Sequence, residues 1–237
     1  MDINLNLQLG PFQFPLALGA IFIGLAISTY LVERKLDRNK WVDEKWFDLL
    51  ITLVFVFVLI YKFGWAIFSI KKIIANPSSL LWTTGSTGSV LFGLFAIVMI
   101  LSYKMRRDRE RALDILDFSL ITIIITFFVF NLLFIDYGKT TNSFIGIRID
   151  EQSIFTYHPV SWYKVFWLGF LLILRFRIWP KVESFKISVL YFLLGAGMLL
   201  ITIFDTPINL LLGITLEQWI WLLIVLTGSI GLINLRR

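Results

Sequence analysis

The sequence predicts an all-α integral membrane protein of about seven transmembrane helices, built as a single domain over residues 1–237. Three observations carry this prediction: an extreme apolar composition, a series of apolar runs of bilayer length, and basic residues gathered on one side of those runs. The chain is 58% hydrophobic and only 16% charged, whereas soluble domains are roughly 45–50% apolar and 25% charged. Its mean hydropathy of +0.82 leaves a water-soluble fold nowhere to hide so much apolar surface. The 9 Trp and 23 Phe suit helices that face lipid and carry aromatic rings at the two interfaces.

A helix needs about 20 mostly apolar residues to cross a bilayer core. The segments that qualify are Phe14–Val32, Phe47–Phe68, Gly88–Tyr103, Ile115–Ile135, Ser161–Phe176, Ile187–Phe204 and Trp219–Leu235. The first is too long to be a removed signal peptide, and it lacks a basic leader and a cleavage site. Asp48, Asp114 and Asp117 stand at the starts of the second and fourth, where the helix dipole favours a negative charge. The third and fifth are short, so they tilt little or begin inside the protein. Pro159 suits the start of the fifth. No stretch alternates apolar and polar residues over the length a barrel strand needs, which leaves helices as the spanning element.

The lysines and arginines sort by loop. One side holds Arg34 to Lys45, Lys104 to Arg111, Arg175 to Lys186 and the terminal Arg236-Arg237; the other holds only Lys62, Lys71, Lys72, Lys139, Arg148 and, at a helix edge, Lys164. The rich side is cytoplasmic by the positive-inside rule, which puts the N-terminus outside, the C-terminus in the cytoplasm, and an odd number of spans between them. The net charge of +6 lies in these short loops and not along a stripe, so nucleic acid is not an expected partner. With no cysteine, disulfides, thiolate metal sites and a cysteine nucleophile are excluded. No loop is long enough for a soluble catalytic domain, so any chemistry belongs between the helices or at the outer interface. No cofactor is implied.

Several short strings, in order along the chain, resemble the prolipoprotein diacylglyceryl transferases of bacterial membranes. They are Asn6 to Phe14; Phe63-Gly64-Trp65-Ala66-Ile67-Phe68 with Asn76-Pro77 and the Gly/Ser/Thr run Trp82 to Ser89; Asp117-Phe118; Asn131 with Asp136-Tyr137-Gly138; and His158-Pro159-Val160-Ser161-Trp162-Tyr163. The resemblance implies a bacterial inner-membrane location and transfer of diacylglycerol from phosphatidylglycerol to a lipoprotein cysteine, in a cavity opening to the outer leaflet. The chain departs from the family where that chemistry would sit. The His-Gly-Gly string falls on Ser89-Val90-Leu91, and the two arginines fall on Phe128 and near Met198. The glutamate after the second arginine falls near Thr202. Asn131 is retained, and Asp136 stands where the family has a glutamate. Arginine clamps a phosphate through two parallel hydrogen bonds, and that clamp is gone.

Each remaining candidate has two readings. Asp136 and His158 are the candidate catalytic residues: Asp136 orients a head group or opens a turn before Tyr137-Gly138, and His158, the only histidine, shuttles a proton or marks a helix start. No second His or Cys accompanies it, so no metal site is expected. Lys62 and Lys164 neutralise a lipid phosphate or snorkel to the interface. Ser89, in the run Ser86-Thr87-Gly88-Ser89, helps cradle a phosphate on backbone N–H groups or permits close helix packing. Phe128, with Phe127 and Phe130, lines an apolar pocket for an acyl chain, beside Asn131.

The expected function is that of a diverged, non-catalytic relative that binds a phosphatidylglycerol-like phospholipid, a lipoprotein precursor or another membrane protein. An atypical active transferase using Asp136, His158 and Lys164 is the alternative, and the two separate on whether those side chains converge on one cavity. A transporter is a third class; the absence of charge in the middle of the first, fourth, sixth and seventh segments weighs against it.

Overall fold

A computed structural model describes residues 6–9, 12–35, 47–68, 74, 87–108, 112–149, 154–181, 183–206, 210–211 and 213–234. The Asn76-Pro77 pair, the run 82–86, Lys71, Lys72 and Arg236-Arg237 lie outside the described residues. Among the described residues the fold is helical apart from three two-stranded antiparallel sheets. Among the described residues seven α-helices follow in order: α1 (Leu16–Lys35), α2 (Phe47–Phe68), α3 (Thr87–Arg107), α4 (Ala112–Leu133), α5 (Val160–Ile173), α6 (Ser184–Ile201) and α7 (Leu216–Asn234). Five of them, α2, α3, α4, α6 and α7, are long and apolar enough to cross a membrane; α1 contributes a shorter apolar stretch, Gly19–Val32. That content marks a membrane-embedded protein.

The chain divides into two compact units, one of Met1–Val32 with Leu116–Arg237 and one of Glu33–Ile115. The smaller unit is the α2–α3 pair. Its helices approach closely where Gly93 faces the Phe57 ring and where Gly64 meets Ser89, which is fully buried. The phosphate-cradle residue Ser89 thus sits inside a helix contact, which fits the packing reading of that run.

The larger unit starts with a hairpin, β1 (Asn6–Leu9) against β2 (Phe12–Pro15), that runs straight into α1. The first apolar segment therefore spends its opening residues as strand. Behind it, α4, α5, α6 and α7 share one apolar core, centred on Leu120, Ile124, Leu168, Leu194, Met198 and Trp221. Met198, the position matched to a family arginine, is fully buried in it.

Small residues set the closest helix approaches. A Cβ at Gly195 would lie 2.7 Å from the Trp221 carbonyl oxygen, and one at Gly228 would lie 2.4 Å from the Phe192 backbone nitrogen. In lipid, water does not drive helices together, so close backbone packing of this kind carries association. Gly24 does the same for α1 against Thr126 of α4.

α5 ends in an unusual way. Its last turn widens into a π-helix, Leu174–Ile178, that stops before Pro180. Arg175, in that turn, is 3% exposed and holds Asp117, which is fully buried, through Nε at 2.7 Å and through Nη2 as well. Its Nη1 donates to the carbonyls of Trp179 and Pro180, each at 3.1 Å. Asp117 is thus not explained by the helix dipole, and Arg175 is not a loop charge. The two form a buried bidentate pair joining the start of α4 to the end of α5, and the wide turn delivers the guanidinium to it.

The glycine contacts generate a stability prediction. Gly228→Val places a branched side chain against a backbone that has no room to yield, so thermal unfolding in mild detergent is expected to show a loss of about 1–3 kcal/mol. Gly169→Ala, whose Cβ would meet only the Phe128 ring at 3.5 Å, is expected to leave the transition unchanged or slightly raised. Equal tolerance of both would contradict a backbone-close α6–α7 contact.

Candidate functional site

At the end of the larger unit where α4 and α6 finish and α5 and α7 start, the chain concentrates its polar side chains. The loop after α4 is pinned first. Ser161, in the first turn of α5, accepts the Asp136 backbone N–H at 2.6 Å and donates to the Phe134 carbonyl at 3.0 Å. Gly138 N–H bonds the His158 carbonyl at 2.8 Å, and Lys139 N–H bonds the Phe204 carbonyl at 2.8 Å. A Cβ at Gly138 would fall 2.1 Å from the Phe204 oxygen, so the turn Asp136-Tyr137-Gly138 needs its glycine for close approach to the end of α6. Asp136 is held in place by this network while its carboxylate makes no hydrogen bond or ion pair among the described residues.

α7 starts with a capping box. Thr215 accepts the Gln218 N–H at 3.2 Å through Oγ1, and Gln218 returns a bond from the Thr215 N–H at 2.9 Å. Gln218 also donates to Thr202 Oγ1 at 3.1 Å, tying this cap to the end of α6. Glu217 is thereby fixed in the first turn of α7, where the helix dipole favours its charge.

Lys164 is the centre of the site. Although it lies in α5 with only 6% of its surface exposed, its ammonium reaches Glu217 at 3.1 Å and Asp205 at 3.4 Å. It neither snorkels nor stands free for a lipid phosphate, since two carboxylates already occupy it. Glu217 accepts a further bond from Trp221 Nε1 at 3.1 Å. Burial pushes the Asp205 carboxyl up from its ordinary range, and neighbouring Asp136 and Glu217 add to that, while Lys164 draws it back down.

Two adjoining cavities open here, and Asp136 and Glu217 line both. The outer one, of about 490 Å³, is walled by Asp136, Lys139, Thr202, Asp205, Glu217 and Gln218, among others. The inner one, of about 210 Å³, is walled by Phe127, Phe130, Phe134, Asn131, Ser161 and Lys164 with the two shared carboxylates. Asn131, 7% exposed, donates its amide to the Phe127 carbonyl at 2.8 Å.

Of the residues singled out in the sequence, Asp136, Asn131 and Lys164 come together at this site. His158 does not line either cavity: its Nδ1 pairs with the Tyr163 hydroxyl at 3.0 Å and its ring packs on Phe204. Phe128 packs into the core beside Gly169, and its neighbours Phe127 and Phe130 take the cavity wall. Lys62 and Ser89 belong to the smaller unit. Asp205, Glu217 and Gln218 were missed, although the string Thr215-Leu216-Glu217-Gln218 carries a capping-box signature that marks the start of α7. The polar run Asp150-Glu151-Gln152 lies outside the described residues.

Compared with sequence models of known protein families and with curated proteins, the chain matches none of either.

The raised Asp205 carboxyl gives a pH dependence of known sign. Below the ordinary carboxylate value both folded and unfolded chains are protonated; as pH rises above it, the unfolded chain loses its proton first, and folding loses stability until the raised value is passed. Asp205→Asn lacks this loss. The stability of the variant relative to wild type, followed by thermal unfolding from about pH 4 to pH 7, is expected to improve with rising pH, and a decline over that window would contradict the burial argument.

Proposed function

We propose that the chain is a bacterial inner-membrane protein of seven spans, with its N-terminus outside and its C-terminus in the cytoplasm, that binds a membrane phospholipid at this site and does not transfer diacylglycerol. One observation carries the binding: a phenylalanine-walled cavity joined, through Asp136 and Glu217, to a larger polar one. An apolar recess beside a few converging polar groups is the usual make-up of a small-molecule site, and the outer cavity lies within the ordinary size range of roughly 300–1,000 Å³. The phenylalanine side of the inner recess suits the end of an acyl chain, and the polar outer cavity suits a head group.

The span count rests on the seven helices, with α1 and α5 shorter than the rest, and the orientation on the sorting of Lys and Arg. The bacterial placement comes from the resemblance alone. Against transfer chemistry stand the positions set at or near the family's two arginines, Phe128 packed against the core and Met198 buried in it, and His158, which bonds Tyr163 and lines neither cavity. Among the described residues that line the cavities, no base is hydrogen-bonded to a nucleophile.

Lipid analysis by mass spectrometry of the protein purified in mild detergent tests the binding. One phospholipid per chain is expected to be retained, and Asn131→Phe, which fills the inner recess, is expected to release it. Absence of bound lipid from the folded wild type would defeat the proposal. Growth rescue of a strain depleted of its diacylglyceryl transferase would defeat its non-catalytic part.

A further inference from the structure

We infer that the loop between α4 and α5 seats its tip, Phe144-Ile145, in the lipid leaflet at that end of the helices, as an anchor that does not depend on what the cavities bind. The base of the loop is tied down. Lys139 N–H bonds the Phe204 carbonyl and the Lys139 ammonium donates to the Ile203 carbonyl, each at 2.8 Å, which fastens the loop to the end of α6. Beyond this base, β3 (Thr140–Thr141) pairs with β4 (Thr156–Tyr157), and Ile147 exchanges two backbone bonds with Tyr157. The tip is a turn closed by the Gly146 N–H on the Ser143 carbonyl at 3.0 Å, so Phe144 and Ile145 are its two central residues. Turns in water favour Gly, Pro, Asn, Asp or Ser. Here Phe144 is 97% exposed, and Ile145, Ile147, Ile149 and Ile154 add exposed apolar surface around it. Gly146 lies flush on the two strands, where an added Cβ would come within 2.8 Å of both Thr141 and Thr156. The turn is thus seated on its own hairpin, with its two apolar side chains left outside.

Two independent observations name lipid as what covers the tip. The first is its backbone, since a segment entering a bilayer must bring its own hydrogen-bond partners. Ser143 N–H goes to Thr141 Oγ1 at 3.1 Å and Ile145 N–H to Ser143 Oγ at 3.4 Å, while Gly146 and Ile147 N–H groups find the Ser143 and Tyr157 carbonyls. The loop meets these four donors by itself. The second observation is continuity with the surface that already faces lipid. One leg follows the exposed Leu132 and Leu133 at the end of α4, a membrane-crossing helix, and the other leads to the exposed Trp162 and Phe166 of α5. Tyr137, Tyr157 and Trp162 gather at the base, and such rings mark the head-group level. From Lys139 to Phe144 the chain spans at most about 17 Å, so the tip stays within reach of the leaflet. Arg148, exposed between Ile147 and Ile149, suits the phosphate layer above an inserted tip.

The chain has no cysteine, so one introduced thiol carries a fluorophore at a single place. The full chain bearing Phe144→Cys, labelled with nitrobenzoxadiazole, is reconstituted in vesicles of phosphatidylethanolamine and phosphatidylglycerol. It is compared with Glu183→Cys, an exposed position before α6 at the opposite end of the helices. Lipids brominated on the upper acyl carbons are expected to remove about half of the emission from position 144, because interfacial elements insert to roughly 5–10 Å. Aqueous iodide is expected to remove little of it, and position 183 is expected to show the reverse pattern. Since a label can enter lipid unaided, a second probe is placed at Ile154→Cys, with the tip intact or carrying Phe144→Asp and Ile145→Asp. The charged tip is expected to abolish most of the bromolipid quenching at position 154 while the thermal transition in detergent stays unchanged. Quenching at 144 by iodide and not by bromolipid would place the tip in water. Protection from both quenchers would show that protein, such as a second copy of the chain, covers it. Equal bromolipid quenching at 144 and 183, or quenching at 154 that ignores the charged tip, would show that these side chains do not seat the loop. Each of these results overturns the inference.

Discussion

A lysine ammonium buried in a helix of a membrane protein is costly unless its charge is met on the spot. Lys164 meets this condition with Asp205 and Glu217, and much of the fold follows from the need to bring them there. Asp205 must follow directly on the end of α6, so the chain turns extended just after the 3-10 turn Thr202–Phe204. Glu217 must sit in the first turn of α7, so the Thr215–Gln218 capping box fixes where α7 begins. The hairpin Leu210–Leu211 with Ile214–Thr215, closed through Gly213 at φ +85°, returns the chain between them. A single buried cation thereby couples the ends of three helices that are far apart in sequence.

The other end of the same helices is organised by a different chemistry. Arg175 and Asp117 form a closed pair: the guanidinium meets both carboxylate oxygens, and its remaining donors go to the Trp179 and Pro180 carbonyls. With these donors engaged and both residues buried, the pair acts as a clasp between α4 and α5. The Lys164 cluster is open by contrast. Two carboxylates share its ammonium, and two cavities reach it. One charged cluster is closed on itself and the other opens onto two cavities.

Hydropathy made the helices legible because the requirement for an apolar stretch of bilayer length is local. Where the segments departed from expectation, the cause was not local: the opening of the first became the β1–β2 hairpin, and the end of the fifth became a π-turn shaped by Arg175 reaching back to Asp117. Charge sorting assigned Arg175 to a loop and Asp117 to a helix dipole, since nothing in the spacing of residues on different helices announces that they pair. Phe128 was misplaced for a simpler reason. Neighbouring residues on a helix point roughly 100° apart, so a reading from a linear string does not fix which face a residue takes; Phe127 and Phe130 line the cavity and Phe128 packs against the core. Asp136, Asn131 and Lys164 were legible as polar residues at a helix end, but the Lys164 partners Asp205 and Glu217 came from the stretch between the sixth and seventh segments, read only as loop.

The central claim is that Lys164 is a structural cation whose burial is made possible by its two carboxylates. A double-mutant cycle on the thermal unfolding of the purified protein tests it directly. Lys164→Met removes the cation and strands two carboxylates together, and a loss of about 3–5 kcal/mol is expected. Adding Asp205→Asn and Glu217→Gln to that variant removes the stranded charges and is expected to recover most of the loss. If Lys164→Met alone is as stable as wild type, or if neutralising the carboxylates recovers nothing, the three side chains do not form the interaction on which the site is built.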